Sequence, residues 1–140
     1  MIDYSLYLCT DSNINKDYDI AECVRQAIIG GVTIVQVREK TKNTDEFYLI
    51  AKKIKAITDN YNVPLIVNDN IDVALKINAD GVHIGQDDIS CLEARKILGE
   101  NKIIGVTVTT LAEAKIAIEQ GATYLGVGAI YKSKTKPLFQ

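Results

Sequence analysis

Six short apolar runs, each separated from the next by a stretch that could form a helix or a turn, leave this chain very few folds. The runs are "SLYLC" (5–9), "TIVQVR" (33–38), "PLIVN" (64–68), "GVHIG" (81–85), "IIGVTV" (103–108) and "YLGVG" (124–128). They are rich in Val and Ile and short, as strands buried on both faces are. Between them, Phe47, Ile50, Ile54, Ile57 and Tyr61 step by 3, 4, 3 and 4 positions, which predicts one apolar face of a helix over 45–61. Asp19 with Glu22, Ser90 with Glu93 and Thr110 with Glu113 have the spacing of capping boxes. Gly30-Gly31 and Gly121 read as helix stops. Alternating strands and helices mean a parallel sheet with right-handed crossovers. Both an open doubly wound sheet and a (βα) barrel satisfy this pattern.

Composition narrows the class. The 140 residues predict one domain over 1–140, and 47% hydrophobic residues suffice for a core. The net charge is −2 and the body of the chain holds no basic block, so neither nucleic acid nor an anionic membrane is expected as a partner. No apolar run approaches the roughly 18 residues of a membrane helix. The start carries Asp3 and no basic segment, unlike a signal peptide. Cys9, Cys23 and Cys91 are odd in number and widely spaced, which fits free thiols in a reducing cytoplasm. His83, between Val82 and Ile84, reads as a structural histidine. "GVGAIY" has Tyr131 where a dinucleotide fingerprint needs its third glycine, so a Rossmann cofactor site is rejected.

Polar residues choose the functional face, because they follow the strands. Gln36, Arg38, Glu39 and Lys40 come at or after the end of the second run, Asn68 and Asp69 at that of the third, and Gln86, Asp87 and Asp88 after the fourth. Thr107 and Thr109 sit at the fifth, and Ser133, Lys134, Thr135 and Lys136 follow the sixth. In both architectures the C-terminal strand ends open on one face and carry the site. Neighbouring strand ends are about 5 Å apart, so Asp69 and Asp88 are expected to meet around one cation. Magnesium suits such a pair, since it takes one or two carboxylates plus phosphate oxygens. Arg38, Lys40 and Lys136 on the same rim would hold the phosphates.

Each motif has a plainer reading. Asp69 could cap the helix beginning near Ile71, and Asp88 could lie in a solvated turn. "QVREK" could be a frayed strand end, although buried polar groups such as Gln36 need a polar partner. "YKSKTKP" could be a solvated tail or a phosphate loop.

The stretches "GVTIVQVREK", "PLIVNDNIDVALKINADGVHIGQDD", "IIGVTV" and "YLGVGAIYKSKTK" resemble, in order and spacing, the motifs of the thiamine-phosphate synthase (pyrophosphorylase) family, from about Tyr7 to Lys136. The resemblance implies a (βα)8 barrel. It implies a transferase that joins hydroxymethylpyrimidine diphosphate to a thiazole phosphate, releasing pyrophosphate and forming thiamine phosphate. Gln36, Arg38, Glu39, Lys40 and Asn68 would bind the pyrimidine diphosphate, and Asp69 and Asp88 the Mg2+. Thr107 takes the position of a serine that serves the diphosphate. Ser133, Thr135 and Lys136 match a loop that contacts the thiazole phosphate and, through the lysine, the diphosphate. Arg38, Lys40 and Lys136 would neutralise the leaving group. Such a reaction needs little acid–base machinery, and the single histidine fits that.

The sequence departs from the family pattern at Thr107 for serine, Ser133 for threonine and Lys132 for proline. About six of eight βα units are counted, and "PLFQ" reads as a stop in mid-loop, so a C-terminally truncated barrel is expected. Self-association through exposed edge strands follows from that expectation. Two alternatives stand beside it: a related barrel that isomerises the thiazole phosphate, and an inactive fragment that folds by association.

Overall fold

The computed structural model describes residues 2–14 and 17–131, which fall into two compact units that divide between His83 and Ile84. Its described elements are six strands and five helices in strict alternation, an α/β fold with parallel pairing.

In the first unit β1 (Tyr7–Cys9) leads through α1 (Ile20–Ile29) to β2 (Ile34–Val37), α2 (Thr44–Asn60) to β3 (Leu65–Asn68), and α3 (Ile71–Lys76) to β4 (Gly81–Ile84). The pairings β1–β2, β2–β3 and β3–β4 are all parallel, with Cys9 opposite Gln36, Val37 opposite Val67, and Asn68 opposite His83. All four residues of β2 and of β3 are buried, so both strand faces are covered. That coverage explains the predominantly apolar runs that marked them in the sequence.

Helix α2 occupies the expected position, but its buried stripe is turned from the expected face. Phe47, Ala51, Ile54 and Thr58 are buried, whereas Ile50 and Ile57 are half-buried and Tyr61 is exposed. Small residues at 51 and 58 let the helix approach closely, and the Thr58 hydroxyl is satisfied by donating to the Lys55 carbonyl at 3.1 Å. An unforeseen capping box, Asn43 with Glu46, starts the helix. At α1 the expected box does not form. Asp19 accepts from the Ala21 N–H, but Glu22 turns one turn onward to Arg25 and Gln26, and Arg25 first among its partners draws its carboxyl down to about 2.

In the second unit α4 (Cys91–Leu98), β5 (Ile103–Val108), α5 (Leu111–Glu119) and β6 (Tyr124–Val127) follow in order, with β5 and β6 parallel and Val106 opposite Leu125. The Ser90–Glu93 and Thr110–Glu113 boxes both form. Gly121 adopts φ +90°, the left-handed region that favours glycine, where α5 turns back toward β6. Among the described residues no helix is long and apolar enough to cross a membrane.

Candidate functional site

Parallel pairing brings the polar residues after β1, β2 and β3 to one end of the first unit. Gln36, the polar residue inside β2, does not need an external ligand to be satisfied. Its Nε2 donates to the Tyr7 hydroxyl at 2.8 Å, and the Cys9 thiol donates to its Oε1 at 3.2 Å. The polar partner that the sequence requires for Gln36 is supplied by β1. Strand β2 ends at Val37, and Arg38 lies just beyond it, half-buried, with Nη1 3.4 Å from Asp11 Oδ2.

Glu39 is buried to 9% exposure. Its Oε1 accepts from the Ser12 hydroxyl, while Oε2 is the one buried side-chain polar atom among the described residues without a partner. Lys40 is half exposed and pairs with Asp69. An ion pair this open to water contributes between about 0 and 1 kcal/mol, so the lysine is readily exchanged onto another anion. Glu39, Lys40, Lys42, Asn68, Asp69 and Asn70 line a cleft of about 240 Å³ with Phe47.

Asp69 is not the cap of α3. Asn70 is, its Oδ1 accepting from the Val73 N–H at 2.9 Å. The Asn70 N–H meanwhile donates to the Asn68 carbonyl at 2.7 Å, closing a three-residue turn over Asp69. Asp69 itself adopts φ +60° and donates its N–H to the His83 carbonyl at 2.8 Å. A left-handed non-glycine residue costs of order 1–3 kcal/mol and recurs at functional sites. Here it turns the aspartate away from the helix cap.

In the second unit Asp88 is exposed in the turn after β4, where Oδ2 accepts from the Gly85 N–H at 2.7 Å. Gln86 donates to the Thr107 carbonyl at 2.6 Å. Thr107 is half-buried in β5. Gln86 and Asp88 line a cleft of about 210 Å³ with Glu113 and Gln120. Three hydrogen bonds from Thr109 and Thr110, the Thr109 N–H above all, hold the Glu113 carboxyl below its ordinary value. Ser133, Thr135 and Lys136 lie outside the described residues.

Among the described residues no three His, Cys, Asp or Glu side chains gather into a metal site of their own. The carboxylates at 69 and 88 lie outside the buried core and off the helix caps. Each is by itself an accessible carboxylate of the kind that magnesium takes one or two of, alongside a ligand's oxygens and water.

The sequence reading passed over Thr10, Asp11 and Ser12, which hold Arg38 and Glu39. The signal was present: "CTDS" follows the first apolar run just as "REK" follows the second.

Comparison with known proteins places these residues in context. The family model for thiamine monophosphate synthase matches residues 6–139. Thiamine-phosphate synthase of Clostridium acetobutylicum is 55% identical over 135 residues, which are 96% of this chain and 64% of the relative. The corresponding Clostridium tetani protein is 52% identical, over 96% of this chain and 65% of its own. Thiamine phosphate pyrophosphorylase from Pyrococcus furiosus superposes with a TM-score of 0.83 at 38% identity, covering 94% of this chain and 63% of that one. The chain thus spans a little under two thirds of the length of these relatives. Nothing in these matches favours the isomerising barrel.

Proposed function

The chain belongs to the thiamine monophosphate synthase family, and on that premise we propose that its strand-end residues bind a hydroxymethylpyrimidine diphosphate and direct its condensation with a thiazole phosphate. In this reaction the bond from the pyrimidine's methylene carbon to oxygen breaks, pyrophosphate leaves with the electron pair, and the thiazole nitrogen forms the new bond. The products are thiamine phosphate and pyrophosphate. The protein's task is to neutralise the leaving anion and to hold the two rings in line.

The observation that carries this reading is the pairing of Lys40 with Asp69 in a cleft that also holds Asn68, with Arg38 two residues before the lysine. Lys40 leaves its exposed carboxylate partner at little cost, and Arg38 has donors beyond the one on Asp11. In this reading Arg38, Lys40 and Lys136 contact the leaving diphosphate. Gln36, Glu39, Asn68 and Thr107 belong to the pyrimidine diphosphate side, and Ser133 and Thr135 to the thiazole phosphate. Asp69 and Asp88 would hold Mg2+, which when bound supplies positive charge to the diphosphate oxygens. The wider assignment is a barrel of the (βα)8 type, about six of whose eight units lie in this chain as one domain over residues 1–140, acting in the cytoplasm on two small-molecule substrates. Self-association through the partly exposed strands β1 and β6 belongs to the same proposal.

Calorimetric titration with pyrophosphate and magnesium tests it. Arg38→Ala weakens binding by about 2–3 kcal/mol, the range for a charge-assisted bond to a desolvated anion. Asp69→Asn, which tolerates the left-handed backbone, lowers the magnesium dependence of the titration while the fold is kept. Unchanged affinity in a folded Arg38→Ala protein would remove Arg38 from the diphosphate site.

A further inference from the structure

We propose that Asp11 is a positioning residue for Arg38, holding the guanidinium ready for an anionic ligand; the inference rests on the diphosphate reading of Arg38. The parallel register of β1 and β2 sets Tyr7 opposite Ile34 and Cys9 opposite Gln36. The same offset of 27 positions continues beyond both strand ends. It sets Asp11 against Arg38, with Oδ2 and Nη1 3.4 Å apart, and Ser12 against Glu39, whose Oε1 accepts from the serine hydroxyl.

The loop that carries Asp11 is itself fixed from both sides. Before it, the Thr10 N–H donates to the Gln36 carbonyl at 3.0 Å, and the buried Thr10 hydroxyl accepts from the Arg38 N–H at 3.1 Å. After it, Ser12 is tied to a carboxylate that is itself nine-tenths buried. Asp11 is thus held in place by its neighbours and can in turn hold a long, rotamer-rich side chain. Arg38 remains part exposed, at 28%, and a single contact to Asp11 occupies one of its five donors. The guanidinium is restrained without being used up. An arginine already restrained loses less side-chain entropy when an anion arrives.

This role has a signature opposite to that of simple charge. Asp11 is an anion beside an anion-binding arginine, so long-range electrostatics alone makes its removal strengthen anion binding. Positioning makes its removal weaken it. The test is a double-mutant cycle on the full chain, read as inorganic pyrophosphate affinity by calorimetry, with far-UV circular dichroism and a urea midpoint for each variant. Asp11→Ala weakens pyrophosphate binding by about two- to tenfold, the cost of ordering one such side chain. In the Arg38→Ala background the same substitution gives no weakening. Where alanine does not fold, Asp11→Ser, too short to reach the guanidinium, carries the same expectation.

Affinity equal to or tighter than the parent's in a folded Asp11 variant overturns the proposal, as does a weakening that persists undiminished without Arg38. Arg38→Ala separates this failure from that of the underlying reading. If it leaves affinity unchanged, both fall; if it weakens binding while Asp11→Ala does not, positioning alone falls.

Discussion

Replacing Arg95 by alanine should destabilise the protein by about 2 kcal/mol, although the residue touches no site. Arg95 stands in the last turn of α4 and ties together the ends of several elements of the second unit. Nη1 donates to the carbonyls of Gly99 at 2.9 Å and Lys102 at 2.6 Å, and Nη2 to that of Gly121 at 2.8 Å. Longer contacts reach the Glu100 carbonyl at 3.4 Å and the Thr123 hydroxyl at 3.3 Å. The three short bonds are charge-assisted, but their acceptors are only partly shielded, and water replaces the guanidinium once it is gone. Each is therefore worth about 0.5–1 kcal/mol, below the range for a fully buried charged bond. The favourable position of a cation at a helix C-terminus adds about 0.3–1 kcal/mol.

The sum is about 2–4 kcal/mol, less a few tenths because alanine is the better helix former, and the partly exposed acceptors set the expectation at the lower end, about 2 kcal/mol. With a urea slope of about 2 kcal/mol per molar, the midpoint should fall by about 1 M. The chain has no tryptophan, so circular dichroism follows the transition. Arg95→Lys should recover less than half of the loss, because an ammonium cannot present two parallel nitrogens to acceptors on different segments. A midpoint shift below about 0.2 M in the alanine variant would refute this reasoning. Full recovery by lysine would show that charge, and not the planar fork, does the tying.

Other consequences can be measured on the same preparations. Ile54→Ala removes a fully buried side chain from α2 and should cost about 2–5 kcal/mol in urea unfolding. Glu113 is held below the ordinary carboxylate value of 4.5 in the folded protein. The unfolded chain therefore takes up that proton first, and the stabilisation is complete above about pH 4.5 and lost as pH falls through the folded value. Glu113→Gln should accordingly lower the melting temperature at neutral pH, with the gap to the parent narrowing as pH falls below about 4.5; a gap that stays constant would contradict the cap. Sedimentation velocity over a dilution series should show species larger than a 15.4 kDa monomer if β1 and β6 pair between copies, and a monomer throughout would refute self-association.

What the sequence by itself determined was everything carried by a short period or a local signal. The strand runs declared themselves because β2 and β3 are buried on both faces, and α2 because its apolar positions repeat with helical spacing. The boxes at Ser90 and Thr110 were legible because both partners lie three residues apart. The same spacing misled at Asp19, where Arg25 and Gln26 compete for Glu22 one turn further along the helix. Tertiary structure decided which atoms meet. Nothing local says that Asn70 and not Asp69 caps α3; the positive φ at Asp69 and its N–H bond to the His83 carbonyl decide that. Nor does anything near Arg38 announce Asp11. The two are joined by the register between β1 and β2, which closes a loop of 27 residues and passes the same offset on to Ser12 and Glu39. Periodicity is a property of neighbours along the chain, whereas a pairing register depends on how distant segments pack and which partner each buried polar group finds.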